Sequence, residues 1–219
     1  MPTRSIERIH PSRLLPLLVA VVLGTGGCVQ TAMLPAEQQD AGTTVASFSV
    51  DEPGVLFLPR LSAQVTRGLG GGDLTANLSG VPTGKWSIVG GGLTGRYYLT
   101  HDLNAALQFQ MTSFSGATAG LALFGLQTAP TDPPAWYYGG QVGGITGAGP
   151  GAYLDHGDSS PGAGAVPVVG GTLGYGPVDV GTSTRMQLEL ELNVPVWGDE
   201  EEVAMPGSGL SIGVFGLFD

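Results

Sequence analysis

Apolar and polar side chains alternate strictly along several segments of this chain of 219 residues. The clearest case is "RMQLELELNVPV", residues 185–196, in which every second residue from the methionine onward is apolar. The segment "LNAALQFQMTSF", residues 103–114, repeats the pattern with Leu107, Phe109 and Met111 on one face. Because successive side chains of a β-strand point to opposite sides of the sheet, this period of two predicts strands with one apolar and one polar face.

Ten segments of the chain are candidate strands. The candidates at 118–127 and 164–174 are rich in glycine and alanine and alternate less cleanly, so we expect eight to ten strands. Together the candidates predict one all-β domain over residues 43–219. They are 43–50, 55–69, 73–80, 84–99, 103–114, 118–127, 135–146, 164–174, 182–196 and 209–218.

The composition limits the classes of function that this domain can have. The 8 lysine and arginine residues are outnumbered by 18 aspartate and glutamate residues, which gives a formal net charge of −10. Such an acidic chain is a poor binder of nucleic acid, because phosphate contacts require lysine and arginine. Charged residues make up only 12% of the sequence, yet no apolar run after Cys28 is long enough for a membrane-spanning helix.

The first 28 residues have the order of an export signal. Three arginines precede the apolar run "LLPLLVAVVL", residues 14–23, and small residues then lead to Cys28. A basic region, a short apolar region and a small-residue cleavage site are the parts of a secretory signal peptide. Cys28 is the only cysteine in the sequence, so it forms no internal disulfide and no two-cysteine metal or redox site.

This arrangement resembles a bacterial lipoprotein signal, in which the cysteine after the cleavage site carries the acyl chains. The resemblance implies removal of residues 1–27, acylation of Cys28, for example with palmitate, and attachment to outer-membrane lipid of a Gram-negative-type bacterium. Residues 28–42 lack a clear period, and we expect a flexible tether between the lipid and the domain. The alternative is an ordinary secreted protein that is cleaved elsewhere and keeps Cys28 as a free thiol.

The connections between the candidate strands follow a second pattern. Tight turns at 70–72 and 100–102 fall on one side of the sheet, and the long polar stretches 147–164 and 198–209 fall on the other. Tyrosines and tryptophans lie near the strand ends, and the last candidate ends on Phe218. This pattern resembles a small outer-membrane β-barrel. The resemblance implies an antiparallel up-and-down β-barrel of eight to ten strands, embedded in the membrane, with the two long loops available to a surface partner.

Alternation alone leaves two assignments of the faces open. In a membrane barrel the apolar face meets lipid and the polar face lines the lumen. In a lipid-anchored soluble periplasmic barrel or sandwich, leucines such as Leu188 would fill the core, as in lipocalin-like carriers of small apolar ligands. The scarce charge on the strands, the aromatic residues at strand ends and the unequal loops favour the membrane barrel. Its expected role is structural, in surface interaction, or in narrow passage of a solute.

Six charged side chains share the inward face in the membrane assignment. An isolated buried ion is too costly to keep, so inward charges have to pair. Arginine suits this role because its planar guanidinium holds a carboxylate through two hydrogen bonds. We therefore expect a lumen closed by an ion network. Its predicted members are Arg60, Asp73, Arg96, Arg185, Glu189 and Glu191.

No segment of the sequence carries a dense catalytic signature. The sequence lacks an HExxH motif and a nucleophile elbow, and its glycine clusters lack the Lys-Ser/Thr of a phosphate-binding loop. His156 stands between aspartates in "DHGD", residues 155–158, and a metal could use these ligands. Loops rich in Asp and Gly more often serve turns and solvation, however, and a metal site needs several converging ligands. We expect no enzymatic activity, no cofactor and no metal.

Overall fold

The computed structural model of the protein describes residues 33–52, 60–81, 88–114, 117–148, 165–196 and 209–218. Within these ranges the chain forms ten β-strands, which confirms the predicted all-β class with the larger of the expected strand numbers. The strands are β1 (Thr44–Glu52), β2 (Arg60–Gly68), β3 (Gly72–Val81), β4 (Ile88–Thr100), β5 (Leu103–Phe114), β6 (Ala117–Thr128), β7 (Ala135–Ala148), β8 (Ala165–Asp179), β9 (Thr184–Pro195) and β10 (Gly209–Phe218).

The sheet closes into a barrel. Each strand pairs antiparallel with its neighbours in sequence, and β1 also pairs with β10, where Thr44 faces Phe218 and Glu52 faces Leu210. Closure leaves the sheet without an edge of unpaired backbone groups. The up-and-down β-barrel expected from the sequence is therefore the observed topology. Over the same residues, no helix is long and apolar enough to cross a membrane.

The two ends of the barrel carry connections of different length. We call the end where β1 begins and β10 ends the near rim, and the opposite end the far rim. The two longest connections, 149–164 and 196–208, join strands at the far rim. Residues 149–164 and 197–208 lie outside the described part of the chain. The near rim carries the connections 69–71, 101–102, 129–134 and 180–183.

The barrel is polar inside and apolar outside. Glu189 and Glu191 on β9 are only 6% and 7% exposed, whereas Leu188 and Leu192 on the same strand are 41% and 38% exposed. A soluble barrel requires the reverse arrangement on this strand. Apolar side chains on the outer surface come from all ten strands and include Phe48, Val65, Leu78, Leu93, Phe109, Phe124, Val142, Val169, Leu188 and Val214.

β6 departs from this alternation because it is apolar on both faces. Leu121 and Leu123 point into the barrel and pack with Val168 of β8. Phe124 and Leu126 are exposed on the outside. A small apolar cluster therefore covers part of the inner wall toward the far rim, where β6 and β8 begin.

A glycine on β8 makes room for the largest fully buried side chain of the described chain, Tyr137 on β7. Gly174 is the register partner of Tyr137, and a Cβ atom on Gly174 would lie 1.9 Å from Tyr137 Cζ. The Tyr137 hydroxyl donates to Glu189 Oε2 at 2.7 Å and accepts from Gln187 Nε2 at 2.6 Å. The position of Tyr137, and of the two β9 side chains that it joins, thus depends on a residue without a side chain.

Replacing Gly174 by alanine should destabilise the barrel by about 1–3 kcal/mol, because the added Cβ displaces the Tyr137 ring and strains its hydrogen bonds. The midpoint of urea unfolding of the purified protein in detergent measures this loss. Gly140→Ala is the matched control, since a Cβ on Gly140 meets no atom within 4 Å. Equal midpoints for the two variants would contradict the role given to Gly174.

Candidate functional site in the barrel lumen

An ion pair on neighbouring strands anchors the polar interior. Asp73 of β3 and Arg96 of β4 are register partners, and both side chains are fully buried. Arg96 donates from Nε at 2.9 Å and from Nη2 at 2.5 Å to Asp73 Oδ2. The Tyr98 hydroxyl donates to the same oxygen at 2.5 Å, and the Arg96 guanidinium lies 5.6 Å from the centre of the Tyr98 ring. Three donor groups from two side chains, Arg96 and Tyr98, thus share one carboxylate oxygen inside the barrel.

A stretch of chain that precedes β1 also lies inside the barrel. We call residues 33–39 the lumen segment. Met33, Leu34, Ala36 and Gln39 are buried, and Met33 packs with Val45 and Phe215 of the inner wall. The sequence predicts a flexible tether over residues 28–42, whereas residues 33–39 of that stretch are held within the lumen. Residues 28–32 of the expected tether lie outside the described chain.

Side chains of the wall hold the lumen segment through its main chain. Arg96 Nη1 donates to the Pro35 carbonyl at 2.5 Å, and Arg96 Nη2 donates to the Glu37 carbonyl at 2.9 Å. Gln187 makes two contacts with one amide: Nε2 donates to the Leu34 carbonyl at 2.9 Å, and Oε1 accepts from the Ala36 N–H at 2.9 Å. In a β-sheet, a neighbouring strand forms hydrogen bonds of the same kind with backbone N–H and C=O groups.

Two further wall residues bind the ends of the lumen segment. Gln64 Nε2 of β2 donates to the Met33 carbonyl. The Gln39 N–H donates to the Tyr98 hydroxyl at 2.6 Å, which connects the segment to Asp73. Because buried backbone groups are costly when unpaired, these contacts allow an irregular stretch of chain to stay inside a barrel.

The lumen segment runs inward from the near rim. Gly42 N–H donates to the carbonyl of Gly68, the last residue of β2, at 3.0 Å. Gln38 Nε2 donates at 2.5 Å to the carbonyl of Thr100, the last residue of β4. Met33, by contrast, meets Gln64 in the middle of β2. From residue 40 back to residue 33, the chain therefore rises from the rim to about half the height of the barrel.

Arg185 lies near the near rim and meets two carboxylates. Its Nε donates to Asp179 Oδ1 at 3.1 Å, and its Nη1 donates to Glu37 Oε2 of the lumen segment. The Arg185 side chain is 34% exposed, so solvent weakens both contacts. Burial raises the pKa of the Glu37 carboxyl above its ordinary value, and the Arg185 guanidinium opposes part of that shift. Among the described residues, the Arg185–Glu37 pair is thus the single ion pair between a side chain of the wall and a side chain of the segment.

The remaining charged residues expected in the lumen lie on its inner wall. Arg60 is buried on β2 and donates from Nη2 to Ser79 Oγ of β3. Glu189 accepts from Tyr137, and Glu191 Oε1 accepts from Asn193 Nδ2 at 2.8 Å and from Gln141 Nε2. A cavity beside Leu34 separates the lumen segment from this part of the wall and is lined by Gln108, Gln141, Glu189 and Glu191.

The sequence predicted Arg96 and Arg185 as lumen residues but not the other side chains that bind the segment. Gln64, Gln187 and Tyr98 were not among the predicted lumen residues, although the period of two places Gln187 on the same face as Glu189. The inward position of Gln187 is thus predictable from the sequence, but its hydrogen bonds to the main chain of the lumen segment are not. Cys28 and the "DHGD" stretch with His156 lie outside the described residues. In the part that is described, no three His, Cys, Asp or Glu side chains are grouped so that they could hold a metal ion.

Comparison with known proteins adds no assignment to this geometry. No protein-family model matches the chain, and no curated protein matches it significantly.

Removing the Asp73 carboxylate should be strongly destabilising, because Arg96 then keeps a buried charge without its anion. We expect Asp73→Ala to cost about 3–5 kcal/mol. Asp179→Ala is the matched control: it removes another aspartate that meets an arginine, but at a side chain 78% exposed, where a loss below about 1 kcal/mol is expected. Urea unfolding in detergent measures both variants. Similar losses would contradict a structural role for the buried pair.

Proposed function

We propose that this chain is a lipid-anchored outer-membrane β-barrel with a closed lumen, which acts in envelope structure or surface interaction and allows narrow passage at most. One observation carries the proposal: the outer surface of a closed barrel is apolar on every strand, and the buried charges lie inside. Lipid is the solvent that favours an apolar outer surface on a β-barrel. In water, the same surface would be an aggregation hazard.

Strand length supports the same proposal. A strand that crosses a bilayer needs about 9–11 residues when tilted. The shortest strands, β1 and β2, have 9 residues each, and the longest, β8, has 15. The segments predicted at 43–50 and 73–80 are shorter than this, but β1 extends to Glu52 and β3 spans Gly72–Val81. Every strand is therefore long enough.

The soluble alternative requires a different interior. A carrier of small apolar ligands needs an apolar cavity, with few polar groups that fix the orientation of the ligand. The interior of this barrel is lined by serine, threonine, asparagine and glutamine, and the lumen segment occupies its near-rim half. The geometry therefore favours the membrane barrel over a lipocalin-like carrier.

The anchor and the surface loops complete the proposal. Acylation of Cys28 would add apolar chains that contribute about 0.8 kcal/mol per buried CH₂ to membrane binding. With β1 beginning on the periplasmic side, the near rim faces the periplasm and the far rim faces the outside. The long far-rim loops predicted at 147–164 and 198–209 would then be the parts that meet a surface partner.

Loss of the lipid should leave an integral barrel in the membrane. In cells that express Cys28→Ser, we expect the protein to remain in the outer-membrane fraction after carbonate and urea washing, as the unaltered protein does. The apolar outer surface, not the acyl chains, would hold it there. Release of the variant into the soluble fraction, with retention of the unaltered protein, would support the soluble anchored domain instead.

Acylation itself has a separate test. Intact mass spectrometry of protein purified from membranes should give a mature chain that begins at Cys28 and carries the added mass of acyl chains. Cys28→Ser should lose that mass and retain residues of the signal or be cleaved elsewhere. An unmodified mass from the unaltered protein would show that Cys28 is not the lipid attachment site.

A further inference from the structure

We propose that the near-rim half of the lumen is a binding site for a short peptide, and that the lumen segment is its resident ligand and the plug of an otherwise conducting pore. The inference rests on the proposed membrane barrel and goes beyond it. It assigns a class of ligand to the lumen, and it attributes the closure of the lumen to a segment that can be removed. Three observations carry it: the type of contact, the position of the contacting strands, and the shape of the wall.

Most of the hydrogen bonds between the wall and the lumen segment are made to the main chain of the segment. Gln64, Arg96 and Gln187 donate to the carbonyls of four segment residues, and Gln187 also accepts the Ala36 N–H. Main-chain hydrogen bonds provide affinity for an extended peptide without reading its sequence, as in strand addition to a sheet edge. The chemical class that fits the site is therefore a short peptide with free backbone N–H and C=O groups.

The contacting strands lie on opposite sides of the barrel. Arg96 belongs to β4 and Gln187 to β9, and in the closed order of ten strands β4 and β9 are five steps apart in either direction. Both side chains reach consecutive residues of the same short segment. The lumen segment therefore lies across the centre of the lumen rather than along one wall, which is the position that blocks passage.

The wall is also shaped for this occupant. A Cβ atom on Gly213 would lie 2.6 Å from Met33 Sδ, and a Cβ atom on Gly68 would lie 2.0 Å from the Asp40 carbonyl oxygen. Gly42 has a φ of +85°, a left-handed conformation that favours glycine, and turns the chain from the segment into β1. Because this short turn joins the segment to β1, its effective concentration at the site is high and the plug is the resting state.

Removal of the segment should leave an open lumen. Barrels of eight strands are just wide enough for side chains to fill the interior. This barrel has ten strands and accommodates an additional stretch of chain in its lumen. Three arginines and three carboxylates of the predicted network belong to the wall, namely Arg60, Arg96, Arg185, Asp73, Glu189 and Glu191. Because these charges balance, the opened pore should pass small ions with weak selectivity.

Planar-bilayer recording of a variant that lacks residues 33–39 tests the plug. We expect discrete channels with a conductance on the order of tenfold or more above the residual current of the full chain, because the obstruction at the centre is gone. The full chain should insert and remain closed. A deletion variant that inserts, keeps its β-sheet circular dichroism spectrum and stays closed would overturn the plug. Failure of the full chain itself to insert would instead overturn the membrane barrel.

A synthetic peptide of residues 33–41, MLPAEQQDA, tests the binding site. Added to the open deletion variant, it should block the current saturably. The same peptide with Ala36→Pro lacks the N–H that Gln187 accepts, so about fivefold to tenfold more should be needed for half block. A scrambled peptide with its proline kept in place should still block, since most of the hydrogen bonds are to main chain, although it loses the contacts of the Met33 and Glu37 side chains. Absence of block, or equal block by the Ala36→Pro peptide, would overturn main-chain recognition.

A point variant tests the plug even if the deletion variant does not fold. Gly68→Ala places a Cβ against the Asp40 carbonyl, which pushes the base of the segment out of position. We expect openings in the full chain to become about tenfold more frequent. Gly95→Ala is the matched control, because a Cβ on Gly95 meets no atom within 4 Å. A folded Gly68→Ala protein that stays as closed as Gly95→Ala would overturn the plug.

Discussion

The barrel wall and the chain inside it depend on each other through one buried guanidinium. Arg96 donates twice to Asp73 of the wall and twice to carbonyls of the lumen segment. A guanidinium has five N–H donors and no acceptor, so when it is fully buried it needs several oxygens around it. Asp73 alone satisfies only part of that requirement. The lumen segment supplies the remainder, which is why an ion pair that is buried at considerable cost is compatible with a stable interior.

The alternation of side chains predicted most of the fold, because a closed barrel gives each strand one face toward the lumen and one face toward the outside. β9 illustrates this: its inward glutamates and outward leucines follow directly from the period of two in 185–196. The exceptions have physical causes. β6 alternates poorly because Leu121 and Leu123 point inward to pack with Val168. β8 is interrupted by glycines such as Gly174, where the space for a side chain is occupied by Tyr137. Alternation alone could not show which face of each strand points into the barrel. The burial of Glu189 shows that the polar face points inward.

The content of the lumen was not predictable in the same way. Residues 33–39 are held by hydrogen bonds to their backbone, and a main-chain contact leaves no pattern of side chains in the bound segment. A stretch without periodic alternation of apolar and polar residues is therefore predicted to be a flexible tether. The sequence indicates the segment only through the residues that surround it, namely an inward glutamine at position 187 and glycines at positions 68 and 213. Each of these has an ordinary alternative explanation until the bound chain is seen, since glycine is abundant throughout the sequence.

The buried position of Met33 limits what the proposed anchor can do. Cys28 stands five residues before Met33, and five extended residues span at most about 17 Å. Met33 lies near half the height of the barrel, and half of the apolar band of an outer-membrane barrel is about 12 Å. Acyl chains must lie in lipid, outside the polar lumen, so an acylated Cys28 could reach a rim with only a few ångströms to spare. Under the proposed acylation the lipid therefore restrains the lumen segment itself, and anchor and plug act as one element.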